Sequence, residues 1–131
     1  SGLADGGADS RIICDASMPT FQLAFWTRER TRGERLSVEH IVKKMTSEPA
    51  SLCGFDDRGL IALGKRADLN VVDYDRLTLK APFFACDLPS GAGRLHQASE
   101  GYIATLVNGE GTRERDQDTG ARPGRLVRSK P

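Results

Sequence analysis

The sequence predicts an α+β fold, helical in its first part and β in its second, with the division near Gly54. Three observations carry that expectation. Val38, Ile41, Val42 and Met45 recur at the spacing of one helix face. After Gly54, short runs of β-branched and apolar residues replace the helical spacing. Asn108-Gly109 then sits between two such runs, the strongest two-residue signal for a β-hairpin.

Taken in order, Asp5-Gly6-Gly7-Ala8 reads as a loop, because paired glycines permit backbone angles that other residues avoid. Ser17 is a candidate N-cap and Pro19 is tolerated in a first helical turn, so a helix is expected over residues 18–29. Phe21, Ala24 and Phe25 share its face, widened by Leu23 and Trp26. Residues 28–35 read as a charged connector. Ser37 is expected to cap the next helix, with Glu39 at its positive end. Pro49 disfavours helix at Glu48, and Gly54 is a candidate C-cap for a further turn over residues 50–53.

In the second part, strands are expected at residues 60–63, 69–73, 77–79 and 102–107, with a partner strand over residues 110–114. Pro82, Pro89, Gly91 and Gly93 mark the stretch between as a loop. Residues 116–131, rich in Gly, Pro, Arg and Asp, are expected to form an extended or disordered tail. The organisation expected is therefore residues 1–54, 55–115 and 116–131.

Composition narrows the function classes. A net charge of +1 gives no general attraction to nucleic acid or to an anionic membrane. No apolar run approaches the ~18 residues of a membrane span, and no signal-peptide pattern opens the chain. The basic residues near the end, Arg113 to Lys130, are interspersed with Asp116 and Asp118 and lack interleaved aromatics, which favours a solvated tail or subunit contact over nucleic acid. Cys14, Cys53 and Cys86 are odd in number and lack metal-site spacing. They are expected to be buried small hydrophobes in a reducing, cytoplasmic setting. His40 and His96 have no metal-like spacing and are expected to be structural or surface residues.

The run Gly59-Leu60-Ile61-Ala62-Leu63-Gly64-Lys65-Arg66-Ala67-Asp68-Leu69-Asn70-Val71-Val72-Asp73 resembles the segment that follows the catalytic barrel in metal-dependent amidohydrolases. The opening Ser1-Gly2-Leu3-Ala4-Asp5-Gly6-Gly7-Ala8 is similar to the end of the last barrel strand in the D-aminoacylase (N-acyl-D-amino-acid deacylase) branch. Arg30-Thr31-Arg32-Gly33-Glu34 and residues 116–124 are similar to that branch too. A whole (β/α)8 barrel needs about 250 residues, so the chain is expected to be the C-terminal part of a larger enzyme. The resemblance implies the end of a (β/α)8 barrel with its following helices, then part of a small β-sandwich.

Asp5 is the principal candidate for chemistry. A carboxylate on a Gly-rich loop can bind a metal or carry a proton; read from the local sequence alone, the turn aspartate accepting backbone hydrogen bonds is the favoured reading. The resemblance implies that Asp5 is the general base beside one or two divalent metals, zinc foremost, in hydrolysis of an N-acyl amino acid or related amide. The other metal ligands would come from barrel strands that this sequence lacks, so Asp5 alone holds no metal tightly. Asp9 departs from the branch, in which a histidine commonly follows the Gly-Gly-Ala run. The stripe of Phe21, Phe25 and Trp26, left uncovered, would drive association into a homo-oligomer or with the missing barrel portion. The rival expectation is a non-catalytic β module with a helical extension, used for assembly.

Overall fold

The computed structural model describes residues 4, 12 and 15–128. Helix α1 (Met18–Ala24) follows a single 3-10 turn at Asp15–Ser17 and widens into a π-helical turn over Phe25–Glu29. Together these fill the span expected for one helix. Ser17 stands at the N-cap position, but its backbone is already helical and its hydroxyl makes no cap bond. The hydroxyl donates instead to Gln97 Oε1 across 80 residues of sequence. A tertiary partner has taken the group that local capping would have used.

Helix α2 (Val38–Met45) begins as its sequence dictates. Ser37 is extended, and its Oγ accepts the His40 N–H at 3.2 Å. Of the apolar stripe, Ile41 is buried while Val42 is exposed. Helix α3 (Ser47–Leu52) includes Glu48, against expectation. Pro49 lies in its first turn, where a missing N–H costs no helical hydrogen bond. The helix ends in a Schellman arrangement: Gly54 at φ 71° sends its N–H to Ser51 O at 3.1 Å, and Phe55 N–H reaches Ala50 O at 2.8 Å.

The strands are β1 (Leu69–Val72), β2 (Thr78–Leu79), β3 (Phe83–Ala85), β4 (Arg94–His96), β5 (Ser99–Glu100), β6 (Tyr102–Val107), β7 (Glu110–Glu114) and β8 (Gln117–Asp118). They form a four-stranded sheet in the order β1-β6-β7-β8 and two two-stranded sheets, β2-β5 and β3-β4. All the pairings are antiparallel. The β6–β7 turn is Asn108-Gly109, both at positive φ, as a tight hairpin requires. Thr112 is an extra residue in β7: Arg113 faces Thr105 and Gly111 faces Leu106, and the Thr112 hydroxyl donates to Thr105 O at 3.1 Å.

Further expectations are corrected. Residues 60–63 are not a strand. Leu60, Ile61 and Leu63 are 59%, 90% and 104% exposed, in a connector that turns back through Lys65 N–H to Ala62 O. No strand among the described residues lies beside it to accept a ladder. The stretch between Pro82 and Gly93 contains β3 and leads into β4, a hairpin that its proline and glycine content masked. Asp87 clamps it, accepting from Arg94 Nε and Nη2 at 2.8 and 2.7 Å. Cys53 and Cys86 are exposed rather than buried, one at the end of α3 and one in the β3–β4 loop; Cys14 lies outside the described residues. In the tail, Gln117–Asp118 pairs with the end of β7, and Thr119 returns to it through its N–H to Thr112 O and its hydroxyl to Gly111 O.

The interior is small. Ala24, Ile41, Ala50 and Leu77 are its buried apolar residues among those described, and Leu77 is wholly enclosed. Gly101 lets the backbones meet there. At φ 98°, its missing Cβ would fall 2.7 Å from Leu77 Cα and 2.9 Å from Asp73 O.

Removing the Leu77 side chain takes out the one large group this interior encloses completely. Leu77→Ala is expected to lower unfolding stability by about 3 kcal/mol. A denaturant midpoint unchanged from the parent would contradict that role.

Candidate functional site

Asp5, the residue expected to carry the chemistry, lies outside the described residues, as do Asp9 and the glycines between them. The described structure begins its continuous course at Asp15, ten residues further on. What it does show is how the segment from Asp15 onward is seated.

Helix α1 and its π turn are fastened to the β part by side chains. Thr20 Oγ1 and Tyr102 OH lie 2.8 Å apart, and Thr27 Oγ1 and Tyr74 OH lie 2.5 Å apart. The Arg28 guanidinium donates to the Tyr74 and Leu77 carbonyls, and its carbon lies 5.3 Å from the Tyr74 ring centroid. An arginine that satisfies two carbonyls of one turn holds that turn in a fixed relation to the helix. The aromatic stripe packs on itself: Phe21 and Phe25 stack at 4.8 Å, and Trp26 meets Phe25 edge-on at 5.5 Å. Arg30 covers the Trp26 ring at 4.6 Å, while Phe21 is 43% exposed.

The two histidines lie apart in environment. His40 is exposed in the first turn of α2. His96 is half-buried on β4, edge-on to Phe83 at 5.1 Å. Among the described residues, no group of three or more His, Cys, Asp and Glu side chains could hold a metal ion. The described residues therefore do not fit a catalytic metal by themselves.

A charged cluster that sequence reasoning missed ties the connector to the sheet. Arg58 grips Asp57 through Nε at 2.9 Å and Nη2 at 3.2 Å, and reaches Asp68 at 3.4 Å. Asp68 Oδ1 also accepts the Asn108 N–H at 2.8 Å, and Ala67 O accepts the Gly109 N–H at 2.9 Å. The Arg58 guanidinium beside Asp57 holds that carboxyl below its ordinary range. These contacts place residues 66–68 against the β6–β7 turn. The signal in the sequence was Asp68 directly before an apolar strand, but its partner stands 40 residues away.

A cleft of about 520 Å³ opens between the β6–β7 face and the β4–β5 corner. Lys80, His96, Tyr102, Arg113, Arg115 and Asp116 are among its lining residues, with Ile103 and Ala104. It was not legible in advance, because Lys80 and Arg115 approach only through the strand pairing.

With this geometry in place, comparison with known proteins decides the family. A model described as the amidohydrolase family matches residues 6–112. The chain belongs to the amidohydrolase family. An N-acyl-D-glutamate deacylase of Alcaligenes xylosoxydans xylosoxydans is 37% identical over 96 residues. That alignment takes in 73% of this chain and 18% of the relative, so the chain matches less than a fifth of that protein's length. The resemblance to the D-aminoacylase-like branch, read from the sequence, therefore stands. No solved structure matches. The matched span opens at Gly6, the residue after Asp5. No helix among the described residues is long and apolar enough to cross a membrane.

The most perturbed carboxyl with a stated value is Asp118, held down to about 2 from 3.8 by the Arg122 guanidinium first and the Gly120 N–H second. Its folded value is the lower one, so what it adds to stability is present above pH 3.8 and is lost as pH falls towards 2. A carboxyl-detected NMR titration should place its midpoint near 2, and Arg122→Gln should move it back towards 3.8. A midpoint that ignores the substitution would show that the pair at 2.8 Å does not govern the tail.

Proposed function

We propose that this chain is the C-terminal part of a metal-dependent amidohydrolase that cleaves non-peptide C–N bonds, with N-acyl-D-amino acids as substrates. The observation that carries the reading is the 37% identity to an N-acyl-D-glutamate deacylase. On this reading residues 1–54 close the barrel, residues 55–115 belong to a small β-sandwich and residues 116–131 form the tail. A cytoplasmic location belongs to the same proposal and rests on the scattered cysteines alone.

Asp5 is proposed as the proton-carrying group. A carboxylate at the scissile bond takes a proton from the attacking water and delivers it to the leaving nitrogen. Zinc or another divalent ion would supply polarisation of the carbonyl and activation of water. The described residues contribute no cluster to hold such an ion. Its ligands besides Asp5 would have to come from other residues of the full-length enzyme, and the 131-residue chain alone is expected to be inert.

The test compares two proteins on N-acetyl-D-glutamate and its L isomer. The full-length enzyme should release acetate from the D isomer, lose that activity to a chelator and lose at least about a thousandfold on Asp5→Asn. The 131-residue chain should release none. Turnover by the short chain would overturn the reading, as would a full-length Asp5→Asn enzyme with parental kcat.

The same reading predicts the state of the isolated chain. Large apolar groups such as Ile61, Leu63 and Phe84 stand 90%, 104% and 64% exposed. Uncovered apolar surface of this kind promotes self-association. Sedimentation should find a homo-oligomer, dissociating when the full-length enzyme's remaining portion is supplied in trans. A monodisperse monomer would count against it.

A further inference from the structure

We propose that the cleft between the β6–β7 face and the β4–β5 corner binds a small organic oxyanion, a carboxylate or a phosphate ester. Its volume of about 520 Å³ lies within the range of small-molecule pockets. Its lining combines apolar residues, Ile103 and Ala104 among them, with three cations. Lys80, Arg113 and Arg115 line it against one carboxylate, Asp116.

The cations are not equivalent. Lys80 is paired with Glu100 at 2.8 Å, so its charge is largely compensated. Arg113 spends one Nη2 bond of 2.9 Å on the Asp116 carbonyl, which leaves most of its guanidinium fork available. Arg115 has no hydrogen-bond or ion-pair partner for its side chain among the described residues. Its backbone N–H alone is engaged, with Ile103 O at 2.9 Å. Two guanidinium-bearing residues lining one cleft suit the planar or tetrahedral oxygens of an oxyanion, which guanidinium groups grip through paired N–H donors.

The backbone supports the assignment. Arg115 and Asp116 are the central residues of the two-residue turn joining β7 to β8, at φ 46° and 65°. The neighbouring β6–β7 turn fills such positions with Asn108-Gly109, the residues they favour. Aspartate tolerates this left-handed region, but arginine is held there against its preference, and strain of this kind gathers where a side chain is needed for binding. Arg115 is thus placed over the cleft at a position where stability alone would select glycine.

That conflict supplies the experiment. The 131-residue chain is titrated with glutarate, inorganic phosphate and, as a neutral match, glutaramide, and amide shifts are followed by NMR at constant ionic strength. Saturable shifts at Ile103, Arg113 and Arg115 are expected with at least one anion and none with glutaramide. Saturation by glutarate alone assigns a carboxylate, and saturation by phosphate alone a phosphate ester. Arg115→Gly should weaken binding at least about tenfold while leaving the denaturation midpoint equal or higher. Arg113→Gln should weaken it similarly, and Arg125→Gln, outside the cleft, should not. Absence of a saturable shift with both anions, an equal response to glutaramide, or unchanged affinity in Arg115→Gly would each overturn the proposal. Because the readout is binding by the short chain, it is independent of whether the full-length enzyme hydrolyses amides.

Discussion

The seating of α1 on the turn between β1 and β2 holds the described structure together. Arg28 donates to the Tyr74 and Leu77 carbonyls, Tyr74 and Tyr102 meet threonines of the helix, and Leu77 is sealed beneath. Below it, Asp73 N–H reaches Gly101 O at 2.7 Å, so the backbone of the turn and the start of β6 are in contact. With so few buried apolar residues, these polar ties decide where the helix lies. They are bonds across 46 to 82 residues, and each fixes helix against sheet rather than helix against itself.

The position matters because α1 follows directly on the 3-10 turn at which the continuous described course begins. The Arg58–Asp68 cluster plays the corresponding part for the second half, binding the exposed connector to the β6–β7 turn. Both junctions use arginines that satisfy carbonyl or carboxylate oxygens, the first of them over the buried Leu77. Apolar residues such as Ile61 and Leu63 are left outward. An interior this sparse with an exterior this apolar is consistent with a chain that matches 18% of its relative's length.

Local chemistry was read correctly where it was self-contained. Ser37 capping α2, Gly54 ending α3 and Asn108-Gly109 turning β6 into β7 each need only residues within one turn of themselves. Reading failed where a distant partner decided. Ser17 looked like a cap and instead bonds Gln97. Residues 60–63 had strand composition and found no ladder, whereas Phe83–Ala85 sat among prolines and found one in Arg94–His96. Cysteine exposure was misjudged for the same reason, since burial depends on which elements arrive above a residue.

The sequence by itself determined the family, through a contiguous motif, and the start of α2, the end of α3 and the β6–β7 turn, through residues that act on their own backbone. Strand composition is a weaker determinant, because a strand exists only when another chain segment supplies its hydrogen bonds. The tertiary structure alone decided which apolar runs pair, which serine caps and which bridges, and that Lys80, Arg113 and Arg115 face one cleft. Those outcomes depend on groups up to 82 residues apart reaching hydrogen-bond distance, a condition that no spacing along the chain expresses.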